Sequence, residues 1–218
     1  MNKITLNLIR HGQTEYNKID KIQGSSDIEL SEVGTNQAKN CCINFDINYD
    51  IAFHSSLKRS KDTLNIIWDN LKIKPTIEVN DLIIERSYGI FEGLTKEMIK
   101  RTYPDKYEEW LKNENVDGEG VESIENVIFR IIKFFNYLIT KKYTNVLVVT
   151  HSGVLYALYK FITNTNLNER PDIKFKNCSS QILEIYYNDI ITQLKFHIGE
   201  HTYEYCSSPT EMIISTSS

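Results

Sequence analysis

The sequence predicts an α/β fold. A three-layer α/β/α arrangement is expected, with a doubly wound, mostly parallel sheet, an antiparallel edge and a small helical cap. Short β-rich runs alternate with stretches of helical periodicity from residue 3 to residue 162, the order that builds parallel strands with crossover helices. The run 146–149 (VLVV) is apolar throughout, as a strand covered on both faces is. Two β-rich runs, 180–187 and 190–197, flank Asn188-Asp189 and read as a hairpin.

The elements follow in order. Ile4, Leu6 and Leu8 alternate with Lys3, Thr5 and Asn7, which predicts a half-buried strand over 3–9. Residues 20–30 lack periodicity and read as loop. Ser31 is an N-cap, with a helix running to about Ile43. Residues 50–54 form a second strand. Leu57, Leu64, Ile67 and Leu71 recur at helical spacing after it. Short extended pieces are expected at 77–79 and 82–84. Residues 95–112 are helical, with Pro104 opening a second short helix. Ile124, Val127, Ile131, Phe135 and Leu138 mark a long amphipathic helix. The strand at 146–149 and a helix over 154–162 precede the hairpin. No linker divides residues 1–206, so one domain is expected, with a cap insertion at about 90–120 and a mobile tail at 207–218.

Composition limits the function classes. The formal charge is −4 and hydrophobic residues make up 41%, so nucleic acid and anionic membrane surfaces are not the expected partners. No apolar run is long enough to span a bilayer. Residues 1–10 lack an apolar segment before a small-residue cleavage site, so a cytoplasmic setting is expected. The four cysteines, Cys41, Cys42, Cys178 and Cys206, make no CxxC and read as reduced thiols.

Ligands of open α/β sheets bind beyond the carboxyl ends of the strands. His11 follows the first strand and His151 the strand at 146–149, and each is followed by glycine within two residues. Arg10 precedes the first histidine, Arg59 follows the strand at 50–54, and Glu85-Arg86 follows the piece at 82–84. The chain has only six arginines, so three at such places point to an anion. Guanidinium forks match phosphate oxygens. An imidazole can take a phosphoryl group covalently. A carboxylic acid with a raised pKa can protonate the leaving oxygen and then activate water.

The letters carry a resemblance as well. Residues 8–17 (LIRHGQTEYN), Gly24, Asp27, Leu30-Ser31, Gly34 and Gln37-Ala38, residues 55–60 (SSLKRS), residues 85–89 (ERSYG) with Glu92-Gly93, and residues 150–154 (THSGV) resemble, in order, the signature blocks of the histidine phosphatase superfamily, which includes the cofactor-dependent phosphoglycerate mutases. The resemblance implies that His11 is the phosphorylated nucleophile, that Arg10, Arg59 and His151 clamp the phosphate, and that Glu85 is acid and base. It places Asn17, Gln23, Gly24, Arg86, Tyr88 and Lys96 on the substrate, and it implies no metal.

The resemblance leaves hydrolase and mutase open. Gly93-Leu94-Thr95-Lys96 resembles the mutase stretch whose lysine touches phosphoglycerate. Against that, the segment 90–149 is short, and its arginines, Arg101 and Arg130, are not adjacent, whereas the mutases carry an adjacent pair. A phosphatase acting on a small phosphorylated metabolite is therefore the expectation. A mutase primed by 2,3-bisphosphoglycerate is the alternative, and a non-catalytic phosphate-binding module a third. Other residues have plainer readings: His54 as a structural histidine, Tyr103, Tyr107 and Trp110 as cap packing, Arg86 as a solvent-facing residue. Nothing in the sequence argues for or against an oligomer.

Overall fold

The computed structural model describes residues 1–41, 43, 46–112, 118–169 and 172–206. The tail at 207–218 and Cys42 lie outside the described residues. Seven strands form one sheet: β1 (Asn2–Arg10), β2 (Ile51–His54), β3 (Thr76–Val79), β4 (Asn145–Thr150), β5 (Ser180–Tyr187), β6 (Ile191–Ile198) and β7 (His201–Cys206). Their order is β3-β2-β4-β1-β5-β6-β7. Pairs among β1 to β4 are parallel, and β5, β6 and β7 add on antiparallel. The expected class holds, with an antiparallel edge three strands wide.

Helices cover both faces. On one, α6 (Ile124–Lys141) and α7 (Ser152–Thr163) bury Phe134, Phe135, Leu155 and Leu158 against Leu6, Leu8, Val146 and Val148. On the other, α2 (Glu32–Lys39) and α3 (Lys58–Asn70) bury Ala38, Leu64 and Ile67 against Ile9, Ala52, Leu147 and Val149. Alternate residues of β4 thus enter opposite cores, which is why the run 146–149 has no polar position. Among the described residues no helix is long and apolar enough to cross a membrane.

Several expectations need correction. Residues 6–9 of β1 are buried on both faces, not half-buried, because helices cover both sides of the sheet there. Asn7 is accordingly buried, donating to Tyr49 Oη and accepting from Ser180 Oγ. The helix from Ser31 ends at Lys39, short of Ile43. Ser31 does cap it, accepting from Gly34 N–H. Leu82 and Ile83 are not extended, although Ile84 is. A 3₁₀ turn, Asp81–Ile83, forms instead, with the Asn80 side chain accepting from Leu82 N–H. A one-turn helix, α1 (Glu15–Lys18), follows the first strand, closed by reciprocal Thr14 and Asn17 hydrogen bonds. β7 was not anticipated; its Tyr203 and Tyr205 pack on Tyr159 and Phe161 of α7.

The region expected as a cap holds α4 (Lys96–Thr102) and α5 (Pro104–Lys112). Thr95 caps α4 through Met98 N–H, and Pro104 opens α5, where a missing N–H costs nothing. Phe91 and Ile99 centre a separate apolar cluster with Tyr103, Tyr107 and Trp110 packed around them, so these aromatics serve packing.

Candidate active site

Register brings the strand ends together. Arg10 pairs with Thr150, and His54 with Val149. The residues that follow, His11, His151 and Ser55, therefore leave the sheet side by side. The His11 and His151 rings stand 5.1 Å apart, tilted by 54°. His11 Nδ1 lies 2.7 Å from the Gly12 carbonyl. A carbonyl only accepts, so we assign the proton to Nδ1, which leaves the Nε2 lone pair as the basic atom. Burial, and then the charges of Arg59 and Arg10, push the His11 pKa well below its ordinary value. His151 is shifted the same way, by burial first and Arg59 next. Its Nε2 is 2.7 Å from Ser55 Oγ.

The arginines are anchored with capacity left over. Arg59, in the first turn of α3, is fully buried. Its Nη1 donates to Ser26 O and its Nη2 to Gly24 O, each at 2.7 Å. Arg10 Nη1 donates to Phe175 O at 2.7 Å. Arg10 Nε, Arg59 Nε and His151 Nδ1 are buried without a hydrogen-bond partner. Such orphans cost on the order of 1–3 kcal/mol each. A cation at a helix N-terminus also opposes the helix dipole. An anion received among these groups answers both costs.

Glu85 reaches the cluster from outside the sheet. Thr150 Oγ1 donates to Ile83 O, and Arg130 Nη1 donates to Leu82 O, which ties the 3₁₀ turn to β4 and α6. The Glu85 carboxylate accepts from Arg86 N–H and Gly153 N–H, both at 2.9 Å. A Cβ on Gly153 would stand 2.4 Å from Glu85 Oε1, so glycine is required where the start of α7 meets the acid. Burial raises the Glu85 pKa, and Arg59 opposes it. One ligand atom each of His11, Glu85 and His151 fall within 4.8 Å of one another.

The expected substrate set is spread around this cluster. Asn17 Oδ1 accepts from Thr14 N–H and from Asn177 Nδ2, and Asn177 Nδ2 also donates to the His11 carbonyl. Gln23 is buried, accepting from Thr14 Oγ1. Gly24 holds Arg59 through its carbonyl. Arg86 does not face solvent: it is 4% exposed, donates from Nε to Glu122 O and lies over the Tyr88 ring. Lys96 is exposed and shares with Asn17, Lys21 and Glu97 an open cavity of about 640 Å³.

Sequence reading missed three contributors. Ser55 lies in the block 55–60, but nothing in the letters marks its contact with His151. Asn177 sits in an aperiodic stretch with no signal. Arg130 looked like a helix residue among apolar neighbours, yet it forms a two-bond fork to Glu122, at 2.9 and 3.1 Å. That fork clips the segment carrying the acid. Elsewhere, His54 is buried on the Ser55 carbonyl, as a structural histidine would be. His197 contacts Thr202 and Glu184. Among the described residues, no group of metal-ligating side chains includes His197 or His201.

Two imidazoles and two guanidiniums at the ends of parallel strands, with a buried carboxyl brought to them from beyond a 3₁₀ turn, define an enzyme site of the phosphoryl-transfer class. The sequence profile of the histidine phosphatase superfamily (branch 1) matches residues 6–195, and the chain belongs to that superfamily. A 2,3-bisphosphoglycerate-dependent phosphoglycerate mutase of Cytophaga hutchinsonii is 35% identical over 69% of this chain and 73% of its own. A probable phosphatase of Schizosaccharomyces pombe is 32% identical over 89% of this chain and 87% of its own. The crystal structure of a putative α-ribazole-5′-P phosphatase from Escherichia coli superposes with a TM-score of 0.76 at 21% identity, covering 90% of this chain and 96% of that one. It shares the fold.

Proposed function

We propose that the protein is a phosphomonoesterase of small phosphorylated metabolites, working through a phosphohistidine on His11. One observation carries this: Arg10 Nε, Arg59 Nε and His151 Nδ1, all buried and unpartnered, belong to the groups surrounding the His11 ring. In the first step His11 Nε2 forms a bond to phosphorus while the ester P–O bond breaks. Glu85, protonated, gives its proton to the leaving alkoxide. In the second, the Glu85 carboxylate takes a proton from water. The water oxygen bonds to phosphorus as the P–N bond breaks, and inorganic phosphate leaves. Arg10, Arg59 and His151 balance the equatorial oxygens throughout. With Ser55 donating to His151 Nε2, Nδ1 carries the proton offered to phosphate.

The test is direct. Purified protein is given a panel of phosphate esters, and separately 3-phosphoglycerate with catalytic 2,3-bisphosphoglycerate. Phosphate release without isomerisation supports the hydrolase. Formation of 2-phosphoglycerate without phosphate release overturns it in favour of the mutase, which the Cytophaga relative's name and the position of Lys96 favour. The hydrolase is preferred because Arg130 is engaged by Glu122 and Leu82 O, while Arg101 lies exposed on the cap helix α4. These two arginines lie on different helices, α4 and α6, and so make no adjacent arginine pair for a second anionic group.

Three further outcomes are expected. Glu85→Gln slows alkyl phosphates by about 10²–10⁴-fold, the usual worth of general acid catalysis, and p-nitrophenyl phosphate much less. An equal loss on both would make Glu85 a positioning residue. In the free enzyme, His11 becomes competent as pH rises through its depressed pKa, and Glu85 loses its proton as pH rises through its elevated one. kcat/KM for alkyl esters therefore falls on the alkaline side, and Glu85→Gln removes that limb. EDTA leaves the rate unchanged, because Arg10 and Arg59 already supply the positive charge that a cation would bring. A loss restored by a divalent ion would place a metal on His11, Glu85 and His151. The free thiols of Cys41, Cys178 and Cys206 support a cytoplasmic setting.

A further inference from the structure

Glu92 is not used by the mechanism, yet it is the most heavily hydrogen-bonded carboxylate beside the site. Its Oε1 accepts from Ser25 N–H at 2.9 Å and Tyr88 N–H at 3.0 Å, and lies 3.4 Å from Ser87 Oγ. Its Oε2 accepts from Ser25 Oγ at 2.8 Å and Ser26 Oγ at 3.3 Å. These donors come from two loops. One, residues 24–26, supplies the carbonyls that hold Arg59. The other, residues 87–88, directly follows Glu85 and Arg86. Gly24 has φ +53°, and a Cβ there would stand 2.0 Å from Glu92 Oε1, so the loop closes on the carboxylate without space between.

Two backbone N–H groups and the hydroxyls of Ser25 and Ser26, converging on one point, are a receptor for an anion, while Ser87 Oγ gives its proton to Gly120 O at 2.7 Å. Here the anion is a side chain of the protein itself. Burial works against the charge on Glu92, but the hydrogen bonds from Ser25, Tyr88 and Ser26 outweigh it, so the carboxyl is held below its ordinary pKa and is ionised at neutral pH. Its charge is felt at Arg59.

We propose that Glu92 is an internal anion that fills the subsite beside the phosphate clamp and sets specificity against esters whose leaving group carries a second negative charge. The substrates are then phosphomonoesters with a neutral or cationic leaving group. This rests on the hydrolase reading above. A like charge brought near Glu92 at the effective dielectric of a protein surface is worth about tenfold in affinity.

The test uses a matched pair of esters, 3-phosphoglycerate and glycerol 3-phosphate, which differ by a carboxylate against a hydroxymethyl group. Wild-type enzyme has the higher kcat/KM on glycerol 3-phosphate. In Glu92→Gln the amide oxygen keeps the two N–H bonds, and the serine hydroxyls turn to accept from the amide NH₂, so the loops stay in place without the charge. The ratio of kcat/KM on 3-phosphoglycerate to that on glycerol 3-phosphate rises about tenfold, mainly through KM. A wild-type preference for 3-phosphoglycerate overturns the proposal, whatever the variant does. A variant in which both substrates suffer equally and the ratio stays put also overturns it, and makes Glu92 a structural tie. A wild-type enzyme that releases phosphate from neither ester, nor from p-nitrophenyl phosphate, fails the hydrolase reading itself, which is a separate result.

Discussion

His11→Ala abolishes turnover and leaves no acid-labile phosphoprotein. The expected loss is roughly 10⁴–10⁶-fold, the range seen when a member of a nucleophile–base couple is deleted from a hydrolase. The physical basis is the state of the ring. Nδ1 is committed to the Gly12 carbonyl and burial keeps the imidazole neutral, so Nε2 is a lone pair with no proton to lose before it attacks. Alanine leaves Arg10, Arg59 and His151 in place. The variant should therefore still bind phosphate, and a melting temperature that rises with added phosphate shows that it does. Rapid quenching with a radiolabelled ester reads the intermediate: wild type accumulates label that acid releases and base does not. A variant with an undiminished rate would remove His11 from the mechanism. Wild-type protein that binds phosphate but never becomes labelled or turns over would make this a non-catalytic binding module.

Arg59→Ala is the second large effect, and it acts twice. In the proposed mechanism the guanidinium is one of the donors facing the phosphate, and losing one preorganised donor to a developing oxyanion costs about 2.7–4 kcal/mol, or 10²–10³ in kcat. The same group also holds the Gly24 and Ser26 carbonyls. Without it that loop loses its anchor on the clamp side, so KM rises as well. Arg59→Lys restores little, because an ammonium cannot fork to two carbonyls and still offer a planar donor to phosphate. Steady-state kinetics on one small ester, with phosphate-induced thermal shifts, separates the two parts. A variant with near wild-type kcat and a raised KM alone would confine Arg59 to binding.

Much of the site was legible because its chemistry lies next to strand ends. Arg10-His11, Ser55-Ser56 with Arg59, and His151 each follow a run whose apolar pattern marks it as a strand, and strand ends converge in an open parallel sheet. The order of the elements and the doubly covered run 146–149 are also local properties, visible as periodicity. Glu85 was found on weaker ground, since the piece before it is a 3₁₀ turn held by Thr150 and Arg130 and not a strand. β7 was missed because its alternating pattern is partly exposed and rests on α7, far away in sequence.

What the residues alone decided is which groups can do the chemistry and at which end of the sheet they gather. What only the tertiary structure decided is the state of those groups. The proton on His11 Nδ1, the placing of the Glu85 carboxyl and the open donors of Arg10 and Arg59 all depend on partners supplied by backbone atoms: Gly12 O, Gly153 N–H, Phe175 O, Gly24 O and Ser26 O. Every residue type carries the same amide, so such partners leave no mark in the letters. Burial, which shifts the titrations, likewise belongs to the packed whole and not to any one segment.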